Sequence, residues 1–262
     1  MLRYLALLWN HQHGESAAVA GALAERLMGL APQWVPVLSN PGLLVCLRAG
    51  SFAYYATHPV GEDGGQVLGV LFDRKDPQRS SVRSERFFVP QEAREIAASR
   101  GRYLVERYWG RYVAFLCDRR TGDTRVLRDP IGDIPCYLAQ LSGICIYFAS
   151  LEDFLQLEAT RLSVNWEHIG LRVLTGDSWA EESALNEIEC VHAGECIEHR
   201  DTRISRQYYW HAFSAARLPR IERLEVAAAE SCAPRSAAVS TLGRHCTRMR
   251  SICSRGWILR LC

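Results

Sequence analysis

The chain has 262 residues, of which 48% are hydrophobic and 23% charged, with a formal net charge of +2. That length allows one large domain or two small ones, and the balance is that of a soluble globular protein. No run approaches the roughly twenty apolar residues that span a bilayer, and a net charge this small points by itself to no charged partner.

Tyr4 to Trp9 reads as a buried first strand. Behind Arg3 it has the look of a signal peptide, but it is too short and Asn10-His11-Gln12-His13 cut it off, so a cytoplasmic protein is expected. Ser16 to Leu30 has helical spacing, with Val19, Leu23, Leu27 and Leu30 on one face. Leu43 to Arg48 and Phe52 to Thr57 are expected to pair as a hairpin across Ala49-Gly50, and Gln66 to Phe72 is a further strand. Asp73 to Arg86 reads as an exposed charged loop, and Pro90 opens a helical region that runs to Trp109 with a break near Gly101.

Four β-rich runs follow: Arg111 to Cys117, Thr124 to Leu127, Cys136 to Ala139 and Ile144 to Ala149. Gly122-Asp123, Asp129-Pro130-Ile131-Gly132-Asp133 and Leu141-Ser142-Gly143 separate them, which predicts an antiparallel meander. Ser150-Leu151-Glu152-Asp153 has the form of a helix start. Asn165 is placed to cap a helix carrying Trp166, Ile169, Leu171, Val173 and Leu174 and ending near Gly176. Helices and paired strands in this order suit an α+β domain better than a parallel array.

The segment around Arg128, Asp129, Pro130, Gly132, Pro135 and Tyr137, followed by Phe148, Ala149 and Ser150, resembles the end of the glutaminase domain of asparagine synthetases. Ser183 to Trp210 is similar to a second passage of that family, with Ala184, Leu185, Ile188, Val191, Gly194 and Glu195 at its positions, Ala193 in place of its Pro, and Tyr209-Trp210 at its close. The resemblance implies an N-terminal-nucleophile hydrolase-like four-layer αββα sandwich of antiparallel sheets over residues 1–210. It also implies a following domain that activates a carboxylate with ATP and Mg, a carbon–nitrogen ligase making asparagine or, in the lasso-peptide cyclase branch, a macrolactam.

Glutamine hydrolysis in that family needs a Cys thiolate at the mature N-terminus and an oxyanion hole that includes an Asn before a Gly. The corresponding positions here are Leu2 and Leu68-Gly69, so no glutaminase activity and no catalytic residue are expected, and the branch implied is that of the lasso-peptide cyclases. No Ser-Gly-Gly-x-Asp-Ser pyrophosphate loop follows Trp210, and Gly64-Gly65 sits in an acidic turn unsuited to phosphate. The chain itself is therefore expected to need no cofactor.

Residues 211–230 read as the first helix of a truncated synthetase domain, with Ile221, Leu224 and Ala228 on one face. Residues 231–262 hold six Arg, with Cys232, Cys246, Cys253 and Cys262, and no acidic residue. A frameshift or a basic arm would each produce such a tail, and the interleaved Cys, Ile252, Trp257 and Leu259 suit the first. The tail lacks the close Cys pairs of a zinc knuckle, His11 and His13 have no third ligand at a recognisable spacing, and no metal site is expected. Two functions stay open: a parent enzyme forming amides with ATP, or a non-catalytic domain that binds a peptide or a separate synthetase-half protein. Neither nucleic acid nor membrane is expected as a partner.

Overall fold

The computed structural model describes residues 2–213 apart from 31–33, 50–55, 63, 77–78, 82–86, 119, 158–160, 176–182 and 201–202. Strand β1 (Tyr4–Trp9) is apolar throughout because both its faces are covered: Tyr4, Ala6 and Leu8 enter one core, and Leu5, Leu7 and Trp9 another. Next come α1 (Gly14–Gly29), β2 (Trp34–Asn40), β3 (Leu43–Arg48), β4 (Ala56–Pro59) and β5 (Gly65–Asp73). They are followed by α2 (Pro90–Ala98), α3 (Arg102–Arg107), β6 (Tyr108–Cys117), β7 (Thr124–Arg128), β8 (Tyr137–Leu141) and β9 (Ile144–Phe148). The last described elements are α4 (Leu151–Leu157), α5 (Trp166–Thr175), β10 (Ile188–Cys190), β11 (Glu195–Arg200) and β12 (Arg203–Tyr208).

The strands form two six-stranded sheets, ordered β10-β8-β9-β1-β3-β2 and β12-β11-β7-β6-β5-β4. Every described pairing is antiparallel. Leu8, Val45, Val70, Val113, Phe115 and Tyr147 meet between the sheets. Leu23 and Leu27 of α1 and Phe154 and Leu157 of α4 cover the outer face of the first sheet. Ile96 of α2 and Leu104 and Val105 of α3 cover that of the second. The architecture is α+β, a four-layer αββα sandwich. No helix among the described residues is long and apolar enough to cross a membrane.

Several expectations need correction. The meander is two hairpins in different sheets, because β6 pairs with β7 in the second and β8 with β9 in the first; residues 129–136 carry the chain across. Of the hairpin expected between residues 43–48 and 52–57, residues 52–55 lie outside the described residues, and Ala56 and Thr57 pair with β5. Both edges of β3 are taken by β1 and β2, and β4 joins β5 in the other sheet. The buried face of α1 runs through Ser16, Ala20, Leu23 and Leu27, leaving Leu30 at its end 37% exposed. Within the stretch read as an exposed loop, Asp73, Ser80 and Ser81 are buried, with Arg107 and Arg79 bound to the Asp73 carboxylate at 2.7 and 3.3 Å. Asn165 caps α5, its Oδ1 accepting the His168 N–H at 3.0 Å. The apolar side of α5 is nevertheless bare, with Trp166 74% and Leu174 85% exposed. Gly176, the helix expected at 218–230 and the tail lie outside the described residues.

Candidate functional site

The head of β1 carries Leu2 and Arg3, neither of which offers a thiol or hydroxyl. Leu2 is 1% exposed and Leu68 is fully buried, and both belong to the cluster between the sheets together with Tyr4, Leu47 and Val70. Alternation along β5 turns Leu68, Val70 and Phe72 inward and Val67 and Leu71 toward the helices. The two positions where the resemblance asks for a nucleophile and an oxyanion donor are thus both buried in one apolar core.

Gly69 is held by packing. Its φ is +133°, and a Cβ there would overlap the Arg111 carbonyl oxygen and lie 2.8 Å from Tyr112 Cα, so β6 runs where a side chain would stand.

Arg3 continues the same strand head outward. Its Nε and Nη2 donate to the two Asp153 carboxylate oxygens at 2.7 and 2.6 Å, and Arg48 Nη1 reaches Asp153 at 3.1 Å. Asp153 is 1% exposed, so the helix start read at Ser150 to Asp153 also ties α4 to β1 and β3. Nothing in the local sequence singles out Asp153 for that role; its partners lie 150 and 105 residues away.

The motif at residues 128–137 forms the crossing between the sheets. Arg128 donates from Nε to the Ile134 carbonyl at 2.8 Å, from Nη1 to the Val191 carbonyl at 2.6 Å and from Nη2 to that of Gly132. One planar guanidinium therefore gathers carbonyls from the crossing and from the strand-to-strand link before β11. Asp129 is fully buried and accepts N–H groups from Tyr112, Ile131 and Gly132 at 3.0, 2.7 and 3.0 Å. Burial pushes its carboxyl up to about 6, against those three donors and Arg128, which favour the ionised form. Pro130 sits inside the turn, and the Pro135 carbonyl accepts the Tyr4 hydroxyl at 3.1 Å. Gly132 takes φ +66° beside Ala193, and Tyr137 packs its ring on Phe148 at 5.7 Å. All six motif residues serve the architecture.

Four of the described cysteines are poor candidates for a substitute nucleophile. The six described thiols are free; burial pushes Cys46 and Cys136 up to about 12 and Cys145 and Cys196 to about 11, which keeps them protonated and poorly reactive. Among the described residues no group of three His, Cys, Asp or Glu side chains is placed to hold a metal. His13 Nδ1 lies 2.9 Å from Ser16 Oγ.

Two histidines that sequence spacing did not single out are neutral groups, His58 buried and His199 half-buried. His58 is packed against Phe87 and Phe88 at ring distances of 5.6 and 6.4 Å. Its nitrogens reach no partner at hydrogen-bonding geometry, a looser approach to the Gly69 backbone aside. His199 Nε2 is 2.6 Å from the Tyr147 hydroxyl. Burial pushes both down to about 4. An unfolded His titrates near 6.5, so between that pH and 4 the unfolded chain binds protons that the folded chain refuses, and stability falls as pH falls. Asp129, raised to about 6, works the other way between its folded and unfolded values and offsets part of the loss. Urea unfolding from pH 7 to pH 4.5 is expected to show a falling midpoint, and His58→Phe to remove of order 2 kcal/mol of that fall, most of the net slope once Asp129 is counted. Identical slopes in the two proteins would show that His58 does not titrate in this way.

Residues 95–210 match the family model of a glutamine amidotransferase domain. The match includes the crossing motif and begins after β5 and the head of β1. Comparison with curated proteins finds no match. Among solved structures, the chain is similar to the allosteric regulatory enzyme of purine biosynthesis at 10% identity and a TM-score of 0.40, over 79% of this chain and 49% of that one. It is also similar to glutamine phosphoribosylpyrophosphate amidotransferase from B. subtilis, in complex with ADP and GMP, at 10% identity and a TM-score of 0.39, with the same coverage. The chain spans about half the length of these two structures.

Proposed function

We propose, for a chain whose residues 95–210 have the pattern of a glutamine amidotransferase domain, that the domain is a catalytically silent one of the asparagine synthetase-like kind, acting as a binding module. The observation that carries this is the fate of Leu2 and Leu68. Covalent attack on a carboxamide needs a nucleophile with a base beside it, and a polar donor aimed at the developing oxyanion. Two leucines in one dry cluster provide none of these and exclude the water that the second half of the reaction consumes.

The parent activity that fits the resemblance at residues 183–210 is ATP-dependent amide formation, either of asparagine or of a lasso-peptide macrolactam, with ATP and Mg held by a synthetase half. Silence of the amidotransferase domain supports the lasso-type branch, in which the amine comes from a peptide and no ammonia has to be released.

Purified full chain is expected to release no glutamate from glutamine above a protein-free blank, and to catalyse no ATP–pyrophosphate exchange. Glutamate release at a rate proportional to protein concentration would overturn the proposal, and exchange activity would reveal a nucleotide site in the chain itself.

A further inference from the structure

We propose that the open end of the sandwich, remote from Leu2, binds a short uncharged peptide segment. This rests on the binding-module reading above and gives it a place and a ligand chemistry. Strand β1 enters the core at Leu2 and leaves it at Trp9; around that exit, the turns at residues 10–13, 121–124 and 140–145 and the strand pair β11–β12 enclose a cleft of about 460 Å³. A volume of that size lies within the range of small-ligand pockets.

The composition of the lining decides the ligand class. Among the described residues, no Asp, Glu, Lys or Arg lines the cleft, although 23% of the chain is charged. Beside the titratable His11, His13 and His199, the described lining gives an ionic ligand no carboxylate, ammonium or guanidinium to pair with, and leaving it unpaired while removing it from water is costly. The walls are equally unsuited to a purely apolar ligand. Asn10, Gln12 and Gln140 present three primary amides, and Ser16 and Thr124 present hydroxyls. His199 is held on Tyr147 and stays neutral at physiological pH, so its second ring nitrogen donates or accepts according to the tautomer.

Primary amides, hydroxyls and a neutral imidazole both donate and accept, as does a peptide group. An Asn or Gln side chain can bond the C=O and N–H of a peptide group at once. A neutral sugar would also satisfy such groups, but sugars gain much of their affinity on an open aromatic face. Trp9, the one Trp, Tyr or Phe in the lining, packs against the core beneath α1.

The test uses the full chain and an array of N-acetylated, C-amidated tetrapeptides with uncharged side chains, read by isothermal titration or by shifts of amide resonances. Binding of a subset of these peptides is expected, with resonances of the turns at residues 10–13 and 140–145 perturbed. Gln140→Glu and Gln12→Glu, both at exposed positions, are expected to weaken that binding at least tenfold while leaving the thermal midpoint unchanged. Each replaces a group that donates and accepts by a charged acceptor that the peptide would have to desolvate.

No binding of any array member at millimolar peptide, or binding of neutral oligosaccharides in place of peptides, would overturn the proposal. Peptide binding untouched by either substitution would overturn the cleft assignment and leave the binding-module reading standing. Glutamate release from glutamine would remove that reading without deciding whether the cleft is occupied.

Discussion

Replacing Arg128 with alanine is expected to lower the unfolding free energy by about 3–5 kcal/mol, read from urea denaturation by linear extrapolation. Its guanidinium bonds the carbonyls of Gly132, Ile134 and Val191, so the substitution leaves three acceptors at the crossing without their donor. Hydrogen bonds to a charged group contribute roughly 1.5–3 kcal/mol each, and they do not add fully when they share one side chain. Arg128→Lys should recover less than half of the loss, because a single ammonium cannot reach three carbonyls in the directions that a planar fork spans. A loss below about 1 kcal/mol in the alanine variant would mean that water takes over the carbonyls and that the crossing holds itself. The adjoining Asp129 is bound by three backbone N–H groups, so the crossing keeps its turn shape, and loss of Arg128 should loosen its attachment to the link before β11 first.

Gly69→Ala is expected to be more severe, with little soluble folded protein at 37 °C. Two penalties act together. A φ of +133° is a conformation that L side chains rarely adopt, and the added methyl would meet the Arg111 carbonyl oxygen and Tyr112 Cα of the neighbouring strand. Backbone atoms in the middle of a paired strand cannot move aside without breaking the β5–β6 ladder, which spans residues 65–73. The control is Gly21→Ala in α1, where an added Cβ meets nothing within 4 Å. That change should stabilise by about 0.5–1 kcal/mol through helix propensity and a less flexible unfolded chain, raising the thermal midpoint by a few degrees. If both variants behaved alike, the close approach of β5 to β6 would not be the reason for the glycine at position 69. The contrast also bears on the resemblance, since a glycine next to an oxyanion donor and a glycine demanded by strand packing look identical in sequence.

Where the chain carries strong local signals, element identity was legible. The all-apolar run at Tyr4 to Trp9, the turn residues around Gly122 and Gly143, Pro90 as a helix start and Asn165 as a cap each act within a few residues, and each appears where expected. The motif from Arg128 to Tyr137 was recognisable because many fixed offsets had to coincide. Its task was not legible, since a turn that joins neighbours in one sheet and a turn that crosses between two sheets use the same Gly and Pro chemistry. That leucine stands where the resemblance asks for a nucleophile was legible too, because chemistry depends on residue type and leucine has none to offer. The burial of Leu2 and Leu68 in one cluster required coordinates.

Residue order and type by themselves determined many of the strands and helices, β2 and the strand character of Tyr108 and Trp109 excepted, together with the αββα class implied by the resemblance and the lack of a thiol or hydroxyl at positions 2 and 3. Only the tertiary structure decided that β7 and β8 lie in different sheets, that Asp153 binds Arg3 and Arg48, and that a cleft lined by amides and hydroxyls opens beyond Trp9. The physical reason is range. Hydrogen-bonded turns and caps are closed by residues a few positions apart, whereas sheet pairing, buried ion pairs and cavities are set by which distant surfaces exclude water together, and that choice is made by the whole core at once.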